Sequence, residues 1–461
     1  MASPIARGRE NALIGELRTV FATGRTRDLA WRIAQLRGIE RLCDEREREI
    51  AEALAKDLGR SAFEAWIADV ASTKAEAQYA RKHVRKWMRR QRVGLPLSQR
   101  PARAWVQYDP LGVVLLIGPW NYPFYLSLGP LVAAVAAGNC AVVKPSELAP
   151  ATSALLARLL PQYLDPEAIQ VVEGDGVTTQ ALLAQGFDHA LFTGGTEVGK
   201  KIMAGAAPTL TPVTLELGGK SPVVVAADAD IDVAARRIVW VKLINSGQTC
   251  IAPDYVVAEQ SIADELVGKI VENLNLFRAR EQIKSQPIVN SRQFERLAGL
   301  VSSTTGSVVA GGGVDQATLR MEPTVILNPA ADDAVMAEEI FGPILPVVTV
   351  ASLDAAIGYI NAKPKPLALY LFTESPELAR SIIDAVPSGG AVVNHVAMHC
   401  LVAQLPFGGV SASGMGAYHG RWGFEAMSHR RAVLAKRSNP DPKMFYPPYS
   451  RLAVKLMRKI L

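Results

Sequence analysis

Cysteine is scarce in this chain: four in 461 residues, at positions 43, 140, 250 and 400. Four are too few for a disulfide framework and point to a reducing compartment, so the expected location is cytoplasmic. No two of them have metal-site spacing. The six histidines are scattered. His395 and His399 stand four apart, but no carboxylate or third ligand accompanies them, and no metal is expected. Long apolar runs are missing as well. The longest candidate, Leu131 to Val143, is broken by Gly138 and Asn139 and falls short of the roughly 20 residues of a membrane span. The first ten residues lack the apolar core of a secretory signal. Aromatic residues make up 7%. The basic run from Arg81 to Arg92 comes with no stacking platform or recognition motif, so no nucleic-acid partner is expected. Internal repeats and low-complexity linkers are absent.

What remains bounds the class. At 49% hydrophobic, 461 residues can bury large cores and are expected to form two or three domains. The net charge of +6 is uneven. From Arg430 to Leu461 nine Lys/Arg face one acid, Asp441, so the tail accounts for more than the whole excess and says little about the body.

Texture changes along the chain. From about residue 10 to 92, charged helical periodicity, as in Glu47 to Leu54 and Ala80 to Arg90, predicts amphipathic helices with solvated faces. From Gly112 short apolar runs alternate with helices: Gly112–Gly118, Asn139–Pro145, Ala168–Gly174 and His189–Gly194 read as buried strands. That alternation predicts a parallel, doubly wound α/β sheet, whose ligands bind beyond the carboxyl strand ends. A second α/β unit begins near Thr214, with a strand at 222–225, a helix from Ile231 to Ile244 and a strand at 255–258. The runs Val308–Gly313 and Pro323–Leu327 read as a hairpin.

Chemistry concentrates in a few segments. Asn245-Ser246-Gly247-Gln248-Thr249-Cys250 sets a thiol among small polar residues, whereas Cys140 lies in an apolar run and Cys43 follows a helix; Cys400 is undecided. Leu215-Glu216-Leu217-Gly218-Gly219-Lys220 supplies a carboxylate, and Pro119-Trp120-Asn121-Tyr122-Pro123 an amide. Thiol, carboxylate and amide are the nucleophile, base and oxyanion donor of covalent acyl chemistry. Cys250 alone reads equally as a buried hydrophobe. Lys144-Pro145-Ser146-Glu147, at a strand end, offers a cation and a carboxylate to a dinucleotide ribose. Phe192 to Lys200 runs from strand into helix through Gly194 and Gly195. It serves either as a pyrophosphate site or as a plain glycine-rich turn, since it is not G-x-G-x-x-G.

These segments, in this order, with Glu338-Glu339-Ile340-Phe341-Gly342-Pro343 and the stretch from Leu405 to Gly420, resemble the aldehyde dehydrogenase superfamily over residues 10–450. Ile251-Ala252-Pro253-Asp254-Tyr255 and the Ser428-His429-Arg430-Arg431 run resemble its class 3 type, which includes bacterial coniferyl-aldehyde-like and fatty-aldehyde-like members. The resemblance implies an α/β aldehyde dehydrogenase fold. A Rossmann-like NAD(P) domain would span 1–213, a catalytic domain 214–400, and a bridging or oligomerisation element 93–108 and 401–461. It implies Cys250 as nucleophile, Glu216 as water-activating base and Asn121, with the Cys250 N–H, as oxyanion donor. It assigns cofactor contacts to Trp120, Lys144, Glu147, Gly194, Gly195, Thr196, Gly199, Leu217, Glu339 and Phe341, and a substrate tunnel to Tyr122 and Phe407. Its reaction is oxidation of an apolar aldehyde to the acid through a thiohemiacetal and a thioester, with NAD, and NADP tolerated, in a homodimer.

Two features depart from the family. Gly195 replaces a frequent Ser or Asn. Instead of the hydrophobic anchor of membrane-attached members, residues 450–461 form a basic amphipathic stretch, with Leu452, Leu456 and Ile460 on one face beside Arg451, Lys455 and Lys459. Docking on a subunit or fraying is the favoured reading of that tail, and contact with an anionic membrane surface the other. Rival activities are a thiol hydrolase, a CoA-acylating dehydrogenase and an idle scaffold. The paired ribose-binding residues, Glu216 and the intact Cys250 weigh against them in turn.

Overall fold

The computed structural model describes residues 7–279 and 286–460. The N-terminal hexapeptide, part of the stretch read as lacking a signal core, and Leu461 lie outside the described residues. Helices Arg7–Ala22, Leu29–Glu45, Glu47–Leu58 and Ala71–Trp87 occupy the expected helical stretch. Asp28 starts the second by accepting from the Ala30 N–H, and Gly59, at φ 68°, ends the third. Their apolar stripes, among them Leu36, Ile39, Leu42, Ala77, Ala80 and Val84, are buried and join one core with the largely apolar helix Tyr125–Ala137.

That core covers a six-stranded sheet. Its spatial order is Gly414–Met415, Val213–Glu216, His189–Thr193, Val113–Ile117, Cys140–Lys144 and Ile169–Val171. The expected strands are present and parallel, with Val113 opposite Cys140 and Val114 opposite His189. Three of them are buried at every residue, the reason they read as apolar runs with polar residues only at their ends. Only Gly414–Met415 runs antiparallel, pairing Gly414 with Glu216.

A seven-stranded sheet follows in the order Ser307–Ala310, Thr324–Leu327, Ile344–Val350, Tyr255–Glu259, Pro222–Val225, Ala368–Phe372 and Gly390–Val393. The expected hairpin is its antiparallel edge, and a smaller pair, Val314–Asp315 with Arg320–Met321, is inserted between the two strands. A third sheet joins Gln91–Val93, Ala102–Pro110 and Ser428–Lys436.

The expected division at 213/214 meets a strand rather than a linker. Val213–Glu216 hydrogen-bonds to His189–Thr193 and belongs to the first sheet, which moves the crossover to the second sheet to Leu217–Ser221. The physical reason is brevity: four residues ahead of a Gly-Gly pair carry too little pattern to assign a strand to one sheet or the other. Arg451–Ile460 is helical, with Ala453 buried and Leu452 and Leu456 exposed. Among the described residues no helix is long and apolar enough to cross a membrane.

Candidate active site

The seam between the two large sheets is where the chain concentrates its chemistry. Glu216 is the last residue of its strand, and the backbone crosses to the second sheet directly after it. Its carboxylate is 1% exposed, and neither oxygen has a hydrogen-bond partner of good geometry. Burial pushes its pKa up to about 7, partly offset by the Cys250 thiol and the Thr193 hydroxyl alongside.

Cys250 reaches this seam by a strained turn. Helix Ile231–Leu243 ends, and Asn245, Ser246 and Gly247 then take φ of 53°, 51° and 73° in succession. Consecutive left-handed residues cost of order 1–3 kcal/mol each for non-glycine side chains and persist only where surroundings hold them. Here Asn245 Nδ2 donates to the Gln248 carbonyl at 3.0 Å, and Gln248 Nε2 returns a bond to the Asn245 carbonyl at 3.1 Å. Ser246 Oγ donates to the Gln286 carbonyl at 2.8 Å, and the Val289 N–H donates to Gln248 Oε1 at 3.0 Å. Gly247 is required for a second reason: a Cβ there would stand 2.2 Å from the Gly342 carbonyl oxygen. Burial pushes the half-buried Cys250 thiol well above its ordinary range, and the nearby Glu216 adds to the shift. The resting pair is therefore a thiol beside a carboxylate that can take its proton.

Asn121, buried, lies on the loop before helix Tyr125–Ala137. Its Nδ2 donates to the Gln248 carbonyl at 3.2 Å, which leaves the second amide N–H for an oxyanion. The next residue, Tyr122, bonds Thr249 Oγ1 through its hydroxyl at 2.6 Å. Gln248 thus links Asn121 to the Cys250 turn, and Glu216 lies beside the Cys250 thiol.

Of the residues expected to meet a cofactor, Lys144, Gly194 and Leu217 stand at or directly after strands of the first sheet, whereas Glu339 and Phe341 precede the second sheet's strand Ile344–Val350. Lys144, buried at its strand end, donates to Glu147 Oε2 at 3.0 Å, and Glu147 is half exposed. Gly195 opens helix Thr196–Ala206 with no side-chain cap, so the first helical N–H groups are not taken by a capping side chain. A Cβ on Gly195 would meet nothing within 4 Å. A lysine–carboxylate pair matched to a vicinal diol, and an uncapped helix start beside open space, fit a dinucleotide. Gly194 N–H donates to the Glu216 carbonyl at 3.0 Å, and Thr196 is half-buried at the helix start. Gly199 is buried, and a Cβ there would come 2.6 Å from Leu217 Cδ2, so its smallness lets the helix close on Leu217.

Opposite, Trp120 and Phe341 meet edge to face with centroids 5.4 Å apart. Phe341 is also left-handed, at φ 51°. Glu339 presses on Gly218, where a Cβ would lie 1.9 Å from its Oε2. Burial, then Asp254, raises its pKa well above the ordinary range. The buried Lys220–Asp254 pair, 2.5 Å apart, ties these loops together. Lys220 also donates to the Val335 and Glu338 carbonyls, and Asp254 accepts the Ile340 N–H at 2.9 Å.

Phe407 is buried in an aromatic group with His399, Tyr418 and His419 at 5.2–6.0 Å between centroids. His395 packs on Trp240 and His399 on Tyr370, and no group of three His, Cys, Asp or Glu among the described residues could hold a metal ion. Cys43 and Cys140 are buried, and burial pushes each thiol up to about 12.

Several residues of the site carry no sequence signal of their own. Arg60 and Asp69 form a buried pair, and Arg60 Nη2 donates to the Asn121 carbonyl at 2.5 Å. Lys220, Asn245, Gln248 and Asp254 stood inside quoted motifs without a role.

Comparison with known proteins shows what the chain is similar to. The family model described as "Aldehyde dehydrogenase family" matches residues 11–433. The mouse protein "Aldehyde dehydrogenase family 3 member A2" is 47% identical over 444 residues, covering 95% of this chain and 91% of its own. The rat protein "Aldehyde dehydrogenase, dimeric NADP-preferring" is 44% identical over 436 residues, covering 94% and 96%. The substrate-bound Staphylococcus aureus AldH structure superposes with a TM-score of 0.94 at 38% identity, covering 97% of this chain and 98% of that one.

Proposed function

This chain belongs to the aldehyde dehydrogenase family, and on that premise we propose which of its residues carry the NAD(P)-dependent oxidation of an aldehyde to its acid. Cys250 Sγ attacks the carbonyl carbon, and its proton goes to Glu216. The developing oxyanion is held by the free N–H of Asn121 Nδ2 and by the Cys250 backbone N–H. Bound NAD(P) supplies the hydride acceptor that turns the adduct into a thioester. Glu216, once it has released the proton, takes another from water, and the resulting hydroxide equivalent frees the acid from Cys250. The observation that carries this reading is the buried, unpartnered Glu216 carboxylate beside a thiol.

Lys144 and Glu147 hold the adenosine ribose, the start of helix Thr196–Ala206 the pyrophosphate, and Glu339 the nicotinamide ribose, with Trp120 and Phe341 alongside. Glu147 disfavours a 2′-phosphate and so favours NAD, while the NADP-preferring rat relative supports use of NADP as well. Gly218→Ala tests the Glu339 role. The new methyl displaces only the end of the Glu339 side chain. The dissociation constant for NAD, read by quenching of protein fluorescence, should rise about tenfold with an unchanged thermal midpoint; unchanged binding would remove Glu339 from the cofactor site.

Tyr122 and Phe407 border the aldehyde's path. Burial lowers the pKa of His399 to about 4 and of His419 to about 3, so this wall is uncharged at neutral pH. An uncharged aromatic wall suits medium or long aliphatic, or aromatic, aldehydes. The dimeric rat relative supports a homodimer. The third sheet, whose strand Ser428–Lys436 is exposed over most of its length, serves as its bridging element. The first sheet forms the cofactor unit, the second the catalytic unit, and the scarcity of cysteine supports a cytoplasmic site of action. Reduction of NAD and NADP across aldehydes from acetaldehyde through dodecanal to benzaldehyde and coniferaldehyde tests the whole reading. Turnover rising with apolar size is expected, and none on any member would overturn it.

A further inference from the structure

Asn121 must present one amide N–H to an oxyanion, yet it sits on an irregular loop between two apolar elements. Its backbone is gripped from outside the site. Arg60 is 3% exposed and Asp69 0%. They form an ion pair, and each spends its remaining capacity on the Asn121 loop. Arg60 Nη2 donates to the Asn121 carbonyl at 2.5 Å, and its guanidinium lies 4.4 Å over the Tyr122 ring. Asp69 Oδ1 accepts the Tyr125 N–H at 2.9 Å. One pair therefore fixes residues 121, 122 and 125. Asn245 Nδ2 adds a second donor to the Asn121 carbonyl at 3.2 Å, which links the same peptide to the Cys250 turn.

The pair is itself held rigidly. Arg60 lies between Gly59, whose left-handed φ ends one helix, and Ser61, whose side chain and Glu64 form a reciprocal cap on the next. Asp69 falls in a widened turn, where the Ala71 N–H reaches back five residues to the Trp66 carbonyl. Such turns insert one extra residue, rotate the helix face and occur often at functional sites. Burying two charges is costly, and a well-packed apolar pair is commonly as stable, so stability alone is a poor reason for this pair. A planar fork that bonds a carboxylate, donates to a carbonyl and stacks on a ring at once is a task lysine cannot perform.

We propose that Arg60, locked by Asp69, is a positioning residue that sets the oxyanion-donor loop through Asn121 and Tyr122. The inference rests on the assignment of Cys250 and Asn121 above and goes beyond it to a residue outside the reacting group. The test compares two reactions of Cys250 in the full-length protein. Acylation by 4-nitrophenyl acetate passes through an oxyanion, whereas alkylation by iodoacetamide does not, and neither needs a cofactor. In Arg60→Met the acylation-to-alkylation rate ratio should fall about 30-fold, and Arg60→Lys should recover only part of it. In an Asn121→Ala background the same Arg60→Met change should cost less than about threefold, because its target is gone. Asp69→Asn, which keeps size and shape, should show the same signature more weakly and serves if Arg60→Met does not fold. An unchanged ratio, or an equal loss with and without Asn121, overturns the proposal. Because aldehyde oxidation is not part of this readout, failure of the dehydrogenase reading is seen separately as a lack of NAD(P) reduction by the native protein.

Discussion

Glu216→Gln should collect the protein as a thioester on Cys250. The amide keeps the shape of the carboxyl but cannot take a proton from water. Positioned proton transfer of this kind is worth about 10²–10⁴-fold. Steady turnover should fall by about that factor; the first turnover of reduced cofactor should slow as well, because the Cys250 proton loses its acceptor, and intact mass should show the acyl adduct once it has formed. Normal turnover would remove Glu216 from the hydrolytic step. The pH dependence follows from the same residue. With its pKa pushed up to about 7, the native base is protonated below neutrality, so hydrolysis of the acyl-enzyme should rise with pH and level off above 7. Stability runs the other way. A carboxyl whose pKa is raised on folding contributes its stability below the unfolded value near 4.5, and loses it as pH rises through 7. Glu216→Gln should therefore raise the thermal midpoint at pH 8 and change it little at pH 4.5. A midpoint difference that does not grow over that range would refute the buried-anion cost.

Cys250→Ala should leave no measurable aldehyde oxidation, a loss of several orders of magnitude, even though a second thiol stands near the site. Cys400 is half-buried, and burial together with the Glu216 charge pushes its pKa up to about 12. Cys250 is also raised by burial and also feels Glu216. What separates the two is position. Cys250 follows the strained 245–247 turn, and the Gln248 carbonyl just after that turn accepts from the Asn121 amide, so the proposed nucleophile and oxyanion donor share one scaffold. Cys400 lies inside a short turn, Met398–Leu401, where its N–H donates to the Ala397 carbonyl and no such partner joins it. Substantial turnover by Cys250→Ala would mean that Cys400 substitutes, and would displace Cys250 from the mechanism.

Much of this was readable from the chain because the signals are local. A strand buried on both faces is apolar along nearly its whole length, as Val113–Ile117 is throughout and Cys140–Lys144 is up to its terminal lysine. The reacting groups stand in short segments rich in glycine and proline. The supporting groups were not readable. A charge on an amphipathic helix is ordinarily solvated, and residues 10–92 were read that way, yet Arg32, Arg60, Asp69 and Glu76 are buried. At Asp69 the widened turn changes the facing of the helix, and a 3.6-residue pattern cannot anticipate a five-residue step. The two-residue strand Gly414–Met415 has no pattern to read.

That small strand imposes an order on biosynthesis. The strand Val213–Glu216 is an edge until Gly414 pairs with Glu216, and the edge at Ala102–Pro110 stays open until Ser428–Lys436 lies along it. A chain emerging from the ribosome can build every strand of its first sheet but one and still present two unpaired rims, a hazard that only its last stretch removes. Stalled or prematurely ended translation would leave not a weak enzyme but a sticky one.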